Sequence, residues 1–449
     1  MEEEILLNRE AFGSDFKWGV SVSAYQIEGA HQDDGKGHSI WDIFSNKKGK
    51  IHLNHNGNNA CEFYSRFEHD LGLIKYLNIP NFRFSLSWPR IQPTGHLPVN
   101  QKGIDFYDRL IDHALKLGIE PWVTLYHWDL PHALEIKGGW TNRDVVSWFE
   151  EYVNVCVNRF GDRVKYWMVL NEPMVFVGAG YFLGIHAPGR RGMKHFIPAV
   201  HHSTLCMGAG GRIIKSALPN AEVGTTFSCS HIEPYRDNEK DALAANKIDA
   251  LLNRLFIEPV LGLGYPSDDL KPLKNIDKYF LPNDENLLPF DFDFIGVQNY
   301  TREVVKRSLF VPYVGASIVK ASERNVERTL MNWEVYPESI YHILKKFNDY
   351  PTIKKLIVTE NGAAFTDRLH EGKVSDVERV DYLKRYTAQV LRAKSEGVNV
   401  QGYFIWTLTD NFEWAEGFHP RFGIIYIDFK TQQRIIKSSG LWYKDFLSL

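Results

Sequence analysis

The sequence predicts an α/β protein, a single (β/α)8 TIM barrel with long loops at the C-terminal face of the strands. Short apolar segments alternate with helical patterns along the whole chain, as expected for parallel strands joined by helices. The length of 449 residues is typical of such a barrel with extended loops. Polar and aromatic residues accumulate directly after the strand segments, which would place them at one end of the barrel.

Eight segments have the composition of buried strands, because they are short and rich in β-branched or aromatic residues. In barrel folds of this kind each strand leads into a helix, so eight such segments are enough to close the sheet. The predicted strands are residues 16–22, 81–87, 121–126, 165–170, 221–227, 292–298, 354–357 and 400–406.

The segments between the strands repeat apolar residues at helical spacing. Phe63, Phe67, Leu71 and Ile74, for example, fall on one face of a helix. No linker or change of composition interrupts the pattern, so we expect one domain over residues 1–449. The predicted helices are residues 62–76, 103–116, 144–159, 197–216, 239–261, 337–347, 377–395 and 438–446.

The composition excludes several classes of partner. The net charge of −3 gives no basic surface for nucleic acid or an anionic membrane, and no run of about 18 apolar residues could span a bilayer. Aromatic residues make up 14% of the chain, which fits a large core and also stacking against sugar rings.

The cysteines and the N-terminus indicate a cytoplasmic protein. The four cysteines form no C-x-x-C pair and no metal-binding spacing, so we expect buried thiols in a reducing compartment and neither a metal nor a cofactor. Residues 1–10 begin with acidic residues and lack the basic and apolar regions of a signal peptide.

Two glutamates follow two of the predicted strands. Glu172 comes after strand 165–170 and Glu360 after strand 354–357, so both would lie at the same rim of the barrel. Two facing carboxyl groups are the minimum needed to cleave a glycosidic bond. A second carboxylate nearby raises the pKa of an acid such as Glu172. Arg83, a cation in an otherwise apolar strand, is the candidate that keeps Glu360 ionised.

Each of these residues also has a purely structural interpretation. Glu172 before a proline is typical of a helix N-terminus, and Glu360 precedes Gly362, which would suit a turn with positive φ. Only their joint occurrence at strand ends favours a functional site. Four further residues at strand ends are, taken singly, also typical of a core or a surface pair: His127, Trp128, Glu413 and Trp414.

Eight motifs follow one another in a fixed order. They are Phe16-Lys-Trp-Gly with Ala24-Tyr-Gln-Ile-Glu-Gly29, Gly35-Lys-Gly37 with Ser39-Ile-Trp-Asp42, Phe82-Arg-Phe-Ser-Leu-Ser-Trp88, Thr124-Leu-Tyr-His-Trp-Asp-Leu-Pro131, Asn171-Glu-Pro173, Asn332-Trp-Glu-Val-Tyr-Pro337, Val358-Thr-Glu-Asn-Gly362, and Trp406-Thr-Leu-Thr-Asp-Asn-Phe-Glu-Trp414 with Arg421-Phe-Gly423. Together they resemble glycoside hydrolase family 1, the β-glucosidase family, over about residues 12–446.

The resemblance implies a role for each matching residue. Glu172 resembles the acid/base and Glu360 the nucleophile of a double displacement with net retention. Arg83 and Tyr300 resemble the partners that hold the nucleophile, and Asn171 resembles the donor to the sugar 2-hydroxyl.

The same resemblance implies the sugar-binding residues. Trp406 resembles the floor on which the sugar stacks, Phe422 closes its rim, and Trp333 resembles a platform on the leaving-group side. The residues expected to bind the sugar hydroxyls are Gln26, His127, Trp128, Glu413 and Trp414.

Two positions depart from the family pattern. Val169 stands where threonine is usual, and we expect a modest effect because that position would support the acid/base. The usual Asn-Tyr-Tyr is replaced by Gln298-Asn299-Tyr300, which leaves the leaving-group contacts near Gln298 open. Glu413 would repel a phosphate, so we expect unphosphorylated sugars, and the presence of Glu172 argues against a thioglucosidase.

The predicted function is therefore a retaining β-glucosidase acting on a small-molecule β-glycoside or oligosaccharide. Some galactosidase or fucosidase activity is expected, because Gln26 and Glu413 can serve either orientation of the sugar 4-hydroxyl. A transglycosidase would use the same covalent intermediate. A non-catalytic sugar-binding protein would typically have lost Glu172 or Glu360, and both are present.

Overall fold

Eight parallel strands form a closed barrel, as the sequence predicts. The computed structural model of the protein describes residues 7–448, so the first part of the acidic segment 1–10 lies outside the described residues. The strands are β1 (Lys17–Ser21), β2 (Asn81–Ser85), β3 (Glu120–Tyr126), β4 (Tyr166–Asn171), β5 (Glu222–Ser228), β6 (Phe294–Gln298), β7 (Leu356–Asn361) and β8 (Val400–Trp406).

Each strand pairs with its neighbours in sequence, and the first strand closes the ring. In β1, Lys17 lies opposite Gly402 of β8, while Gly19 lies opposite Asn81 of β2. All eight strands therefore point the same way, and their carboxyl ends share one rim.

One long helix or helical segment follows each strand, and most of these helices differ from the predicted ranges by only a few residues. They pack around the barrel and bury its outer face. They are α1 (Phe63–Tyr76), α2 (Gln101–Lys116), α3 (Val145–Phe160), α4 (Met193–Ala217), α5 (Glu239–Asp249), α6 (Glu338–Asn348), α7 (Val377–Ser395) and α8 (Ser438–Ser448).

The predicted helix 239–261 is wrong in its length. Helix α5 ends at Asp249, a wider π-type turn follows over Ala250–Arg254, and a short helix covers Ile257–Val260. The Asn253 side chain forms two hydrogen bonds with the backbone of Ser230, at 3.0 and 2.9 Å. This link to the loop after β5 competes with regular helical geometry at that point.

Aromatic residues fill the barrel interior below the rim. Trp122 stacks on Tyr166 with ring centroids 3.9 Å apart, and its indole N–H donates to Asn81. Gly19 makes room for Phe404, because a Cβ atom at Gly19 would lie 2.4 Å from the Phe404 ring. The interior is thus a packed layer rather than a channel.

A small three-stranded sheet, which the sequence analysis did not predict, lies in the loops after β5 and β6. It pairs His231–Pro234 with Arg302–Arg307, and Arg302–Arg307 with Ala316–Ile318. Among residues 7–448, no helix is both long enough and apolar enough to cross a bilayer.

Candidate active site

Glu360 is the penultimate residue of β7, so it lies inside the strand rather than just after it. The pairing with β6 is irregular here and brings Glu360 opposite Gln298. The interpretation of Gly362 as a turn residue with positive φ is wrong. Glycine is needed there because a Cβ atom would lie 1.8 Å from the carbonyl oxygen of Trp406.

Three side chains donate hydrogen bonds to the Glu360 carboxylate. Arg83 Nη1 lies 2.5 Å from Oε1, and Gln298 Nε2 lies 2.7 Å from the same oxygen. The Tyr300 hydroxyl donates to Oε2 over 2.6 Å. Glu360 is only 2% exposed, so its charge depends on these donors rather than on water.

Asn171 connects this cluster to the neighbouring strands. Its Oδ1 accepts hydrogen bonds from Arg83 at 2.5 Å, Gln298 at 2.8 Å and Thr226 at 3.0 Å. Its Nδ2 therefore donates to Nε2 of His127 over 3.0 Å. Burial and the charge of Arg83 hold the pKa of His127 well below its usual value, so the imidazole is neutral.

Glu172 follows β4 and has a left-handed backbone, with φ 48° and ψ 63°. It precedes the short helix Pro173–Val177, so the helix N-terminus interpretation also holds. Its carboxyl group nevertheless lines the pocket, and Nδ2 of Asn171 lies 3.4 Å from Oε2. Left-handed geometry in a non-glycine residue is uncommon and clusters at functional sites.

Glu172 and Glu360 differ in the charges around them. Burial, followed by the negative charge of Glu360, raises the pKa of Glu172 well above the usual value. Burial also raises the pKa of Glu360, but Arg83 and the Tyr300 hydroxyl oppose that rise directly. Glu172 therefore takes up the first proton of the pair, and Glu360 stays ionised.

The two glutamates face a pocket of about 220 Å³. Arg83, Asn171 and Gln26 are wholly buried and do not line its wall. The predicted site residues that do line the wall are His127, Trp128, Glu172, Tyr300, Trp333, Glu360, Trp406, Glu413, Trp414 and Phe422.

Gln26 supports Glu413 from behind. Its Nε2 lies 3.2 Å from Oε2 of Glu413 and 3.0 Å from the carbonyl oxygen of Phe412, while its Oε1 accepts from Ser23. Burial, and then the charge of Glu360, raises the pKa of Glu413 to about 8. Glu413, held by Gln26, offers its carboxyl oxygen atoms to adjacent hydroxyls at one end of the pocket.

Six aromatic side chains form a large part of the pocket wall. Trp128 and Trp414 pack with ring centroids 4.5 Å apart, and both have positive φ, 79° and 47°. Trp406 packs with Phe422, and Trp333 lies 6.1 Å from the Phe422 ring. Apolar ring faces beside carboxyl groups suit a sugar, whose C–H faces are apolar and whose edges carry hydroxyls.

The sequence analysis missed several residues of the site. Gln298 contacts Glu360 at the barrel centre, not on the leaving-group side considered above, and Ser228 lines the pocket beside Glu172. Both are the last residue of a strand, so the strand-end criterion could have found them. His186 and Met331 also line the pocket but come from loops, which carry no such signal.

A closed parallel barrel, with two carboxyl groups of different environment in one aromatic pocket at its rim, defines a barrel glycoside hydrolase. The sequence model described as glycosyl hydrolase family 1 matches residues 8–449. The chain belongs to this family.

Curated relatives and solved structures are similar over nearly the whole chain. β-Glucosidase A of Thermotoga maritima is 42% identical over 441 residues, which cover 98% of each chain. β-Glucosidase A of Acetivibrio thermocellus is 41% identical over 98% of this chain and 99% of its own. The Thermotoga maritima family 1 glycoside hydrolase complexed with a cyclophellitol analogue transition state mimic superposes with a TM-score of 0.93, at 41% identity and 97% and 98% coverage.

Proposed function

We propose that this protein is a retaining β-glucosidase that releases terminal, unphosphorylated β-D-glucosyl residues and accepts galactosyl or fucosyl residues to a lesser extent. One observation carries the proposal, the asymmetry of the two carboxyl groups in the pocket. Glu360 is bonded to Arg83 and Tyr300, whereas the pKa of Glu172 is raised and no cation bonds to it among residues 7–448. The curated relatives support the choice of glucosides.

In the first step, Glu360 acts as the nucleophile. Its carboxylate oxygen attacks the anomeric carbon while Glu172 donates its proton to the glycosidic oxygen. The bond between the anomeric carbon and that oxygen breaks, and the aglycone leaves as a neutral alcohol. Arg83 and Tyr300 hold the attacking oxygen atoms in place, so little ordering remains to be done in the transition state.

In the second step, Glu172 acts as a base. It takes a proton from water as the water oxygen attacks the anomeric carbon, and the bond to Glu360 breaks. Each step inverts the anomeric centre, so the product keeps the β-configuration.

Sugar recognition falls to the residues around the two carboxyl groups. Glu413, supported by Gln26, would bind adjacent hydroxyls far from the cleaved bond, and Trp406 would stack under the ring. Asn171 lies 3.4 Å from Glu172 and shares the donors Arg83 and Gln298 with Glu360, which supports the role of donor to the 2-hydroxyl that the family resemblance implies. A phosphate group next to Glu413 would add negative charge to a buried site that already holds the Glu360 carboxylate, so phosphorylated sugars would bind poorly.

The roles of the two glutamates can be separated by the leaving group. Glu360→Ala should abolish hydrolysis of nitrophenyl β-glucoside. Glu172→Ala should lower kcat/KM for methyl β-glucoside by about a hundredfold or more but spare kcat/KM for dinitrophenyl β-glucoside, whose leaving group needs no proton in the first step. Added azide should accelerate the second step in Glu172→Ala and give β-glucosyl azide. Equal losses on both substrates in Glu172→Ala would count against this assignment.

Proton NMR of the first product formed tests retention independently of the variants. A retaining enzyme gives β-glucose before mutarotation, and an inverting enzyme would give the α-anomer.

We also propose a cytoplasmic location. The support is that Cys61, Cys156, Cys206 and Cys229 are all buried free thiols, as expected in a reducing compartment. Cell fractionation with an antibody would test this, and recovery in the secreted fraction would contradict it.

A further inference from the structure

A second and larger cavity adjoins the candidate glucose pocket. Its volume is about 620 Å³, against about 220 Å³ for the pocket. Val175 and Ser228 line both spaces, so the two are neighbours separated by these side chains. The volume is in the range of cavities that enclose a small organic molecule.

The position of this cavity relative to Glu172 decides what it would hold. The Ser228 hydroxyl lies beside the Glu172 carboxyl and opposes the rise of its pKa. A general acid must reach the glycosidic oxygen, so the leaving group lies next to Glu172. Gln26 and Glu413 lie away from this wall and line no part of the cavity. The larger cavity is therefore on the leaving-group side.

The cavity wall is mainly apolar. Side chains such as Phe182, Phe196, Leu252 and Leu273 form it, together with Tyr313 of the loop in the small sheet. A second sugar would need several hydrogen-bonding partners for its hydroxyls, and hydroxyls buried without partners cost free energy. An apolar aglycone would instead gain free energy by leaving water.

The apolar surface continues outward from the cavity. The loop that carries Tyr313 also presents Leu309, 80% exposed, and Phe310, 97% exposed. They directly precede Val311 and Pro312, which line the cavity, so this loop carries exposed apolar side chains next to the cavity wall along the chain. Exposed apolar side chains of this kind mark binding sites for apolar partners.

Of the described residues that line the cavity, Glu303 is the one with an acidic or basic side chain. Among residues 7–448, no side chain forms a hydrogen bond or an ion pair with its carboxyl group. Arg324, whose charge acts on Glu303, is paired with Glu334 at 2.6 Å instead. Burial raises the pKa of Glu303 to about 7, with Arg324 opposing the rise. Glu303 is half-buried, and a carboxyl group without a protein partner in an apolar wall can bind a donor on a ligand.

We propose that this cavity holds the aglycone, and that the preferred substrates are β-glucosides of apolar alcohols that carry one hydrogen-bond donor, which Glu303 binds. The inference rests on the proposed β-glucosidase function. It adds a substrate class and a specificity-determining residue, and it predicts poor use of disaccharides such as cellobiose.

The test compares substrates with leaving groups of similar acidity. Wild-type kcat/KM is measured for methyl, octyl and ω-hydroxyoctyl β-glucoside and for cellobiose. We expect kcat/KM for octyl β-glucoside to exceed that for methyl β-glucoside by about tenfold or more, since several methylene groups are buried. We expect kcat/KM for ω-hydroxyoctyl β-glucoside to exceed that for octyl β-glucoside by a few-fold or more. Equal values for methyl and octyl, or a preference for cellobiose, would overturn the proposal.

The variants test the role of Glu303. In Glu303→Leu, kcat/KM for the ω-hydroxyoctyl substrate should no longer exceed that for octyl β-glucoside, and kcat/KM for octyl β-glucoside should rise. Glu68→Leu, at an exposed position on α1, is the control and should change neither value. Tyr313→Asn removes part of the apolar wall at a position with φ of 72°, which asparagine tolerates. It should lower the octyl-to-methyl ratio. If both variants keep wild-type ratios, the cavity does not hold the aglycone.

The same assays separate this inference from the proposed function. Failure of the wild type to hydrolyse nitrophenyl β-glucoside at all would contradict the β-glucosidase proposal. Normal hydrolysis of that substrate without a preference for apolar aglycones would contradict only the inference about the cavity.

Discussion

Gln298 donates a hydrogen bond from Nε2 to Oε1 of Glu360 over 2.7 Å. The same nitrogen lies 2.8 Å from Oδ1 of Asn171. Gln298 therefore connects Glu360, the candidate nucleophile, to Asn171, the candidate donor to the sugar 2-hydroxyl. Arg83 connects the same two residues, because it also donates to both.

Replacing Gln298 by leucine should impair catalysis more than stability. The change removes a donor to a charged carboxylate, which contributes about 1.5–3 kcal/mol. We expect kcat on nitrophenyl β-glucoside to fall about tenfold to a hundredfold. Gln101→Leu, at the exposed start of α2, is the matched control. A Gln298→Leu enzyme with unchanged kcat would mean that Arg83 and Tyr300 alone position Glu360.

Trapping the covalent intermediate should lower the pKa of Glu172. Part of the elevation comes from the negative charge of Glu360, and that charge disappears when Glu360 becomes an ester. We expect a fall of about one pH unit or more. Carbon-labelled glutamate followed by NMR titration, before and after reaction with a fluoroglucoside inactivator, measures this. An unchanged titration would show that burial alone sets the pKa of Glu172.

Glu413→Gln should stabilise the fold at alkaline pH while weakening sugar binding. Burial raises the pKa of Glu413 to about 8, so the folded protein binds this proton more tightly than the unfolded chain, whose glutamate titrates near 4.3. Wild-type stability contributed by this group is therefore lost as pH rises from about 4.3 to about 8. Denaturant unfolding across this range should show a shallower decline for the variant. Above about pH 8, where Glu413 is ionised, the variant should also raise KM, because glutamine is a weaker acceptor than a carboxylate.

Lys437→Met should destabilise the fold. Lys437 is fully buried and bonds to Asp367 and, at 2.6 Å, to Asp410. Removing the cation leaves two buried carboxylates with less compensation, and breaking a buried pair typically costs about 3–5 kcal/mol. Chemical denaturation measures the change, with the exposed Lys430→Met as control. A decrease of less than about 1 kcal/mol in the free energy of unfolding would mean that Arg379 and Arg421 alone compensate the charges of Asp367 and Asp410.

The barrel was predictable because its local and global signals agree. The spacing of apolar residues differs between strands and helices, so the sequence distinguishes the two. A charged residue at the end of an apolar strand, such as Glu172, is also easily recognised. The break after Asp249 was not predictable, since it depends on a contact between Asn253 and Ser230. The small sheet and the cavity beside Glu303 were equally hidden, because loops that are distant in sequence assemble them.

The aromatic layer inside the barrel has a consequence for the order of events. Trp122, Tyr166 and Phe404 seal the barrel below Arg83, so the glucose pocket is a blind end with its exit on the rim side. A sugar bound at the closed end of the pocket can dissociate only after the aglycone has left. Such an enzyme releases only the terminal sugar of its substrate, and free glucose must compete with the next substrate for the same entrance.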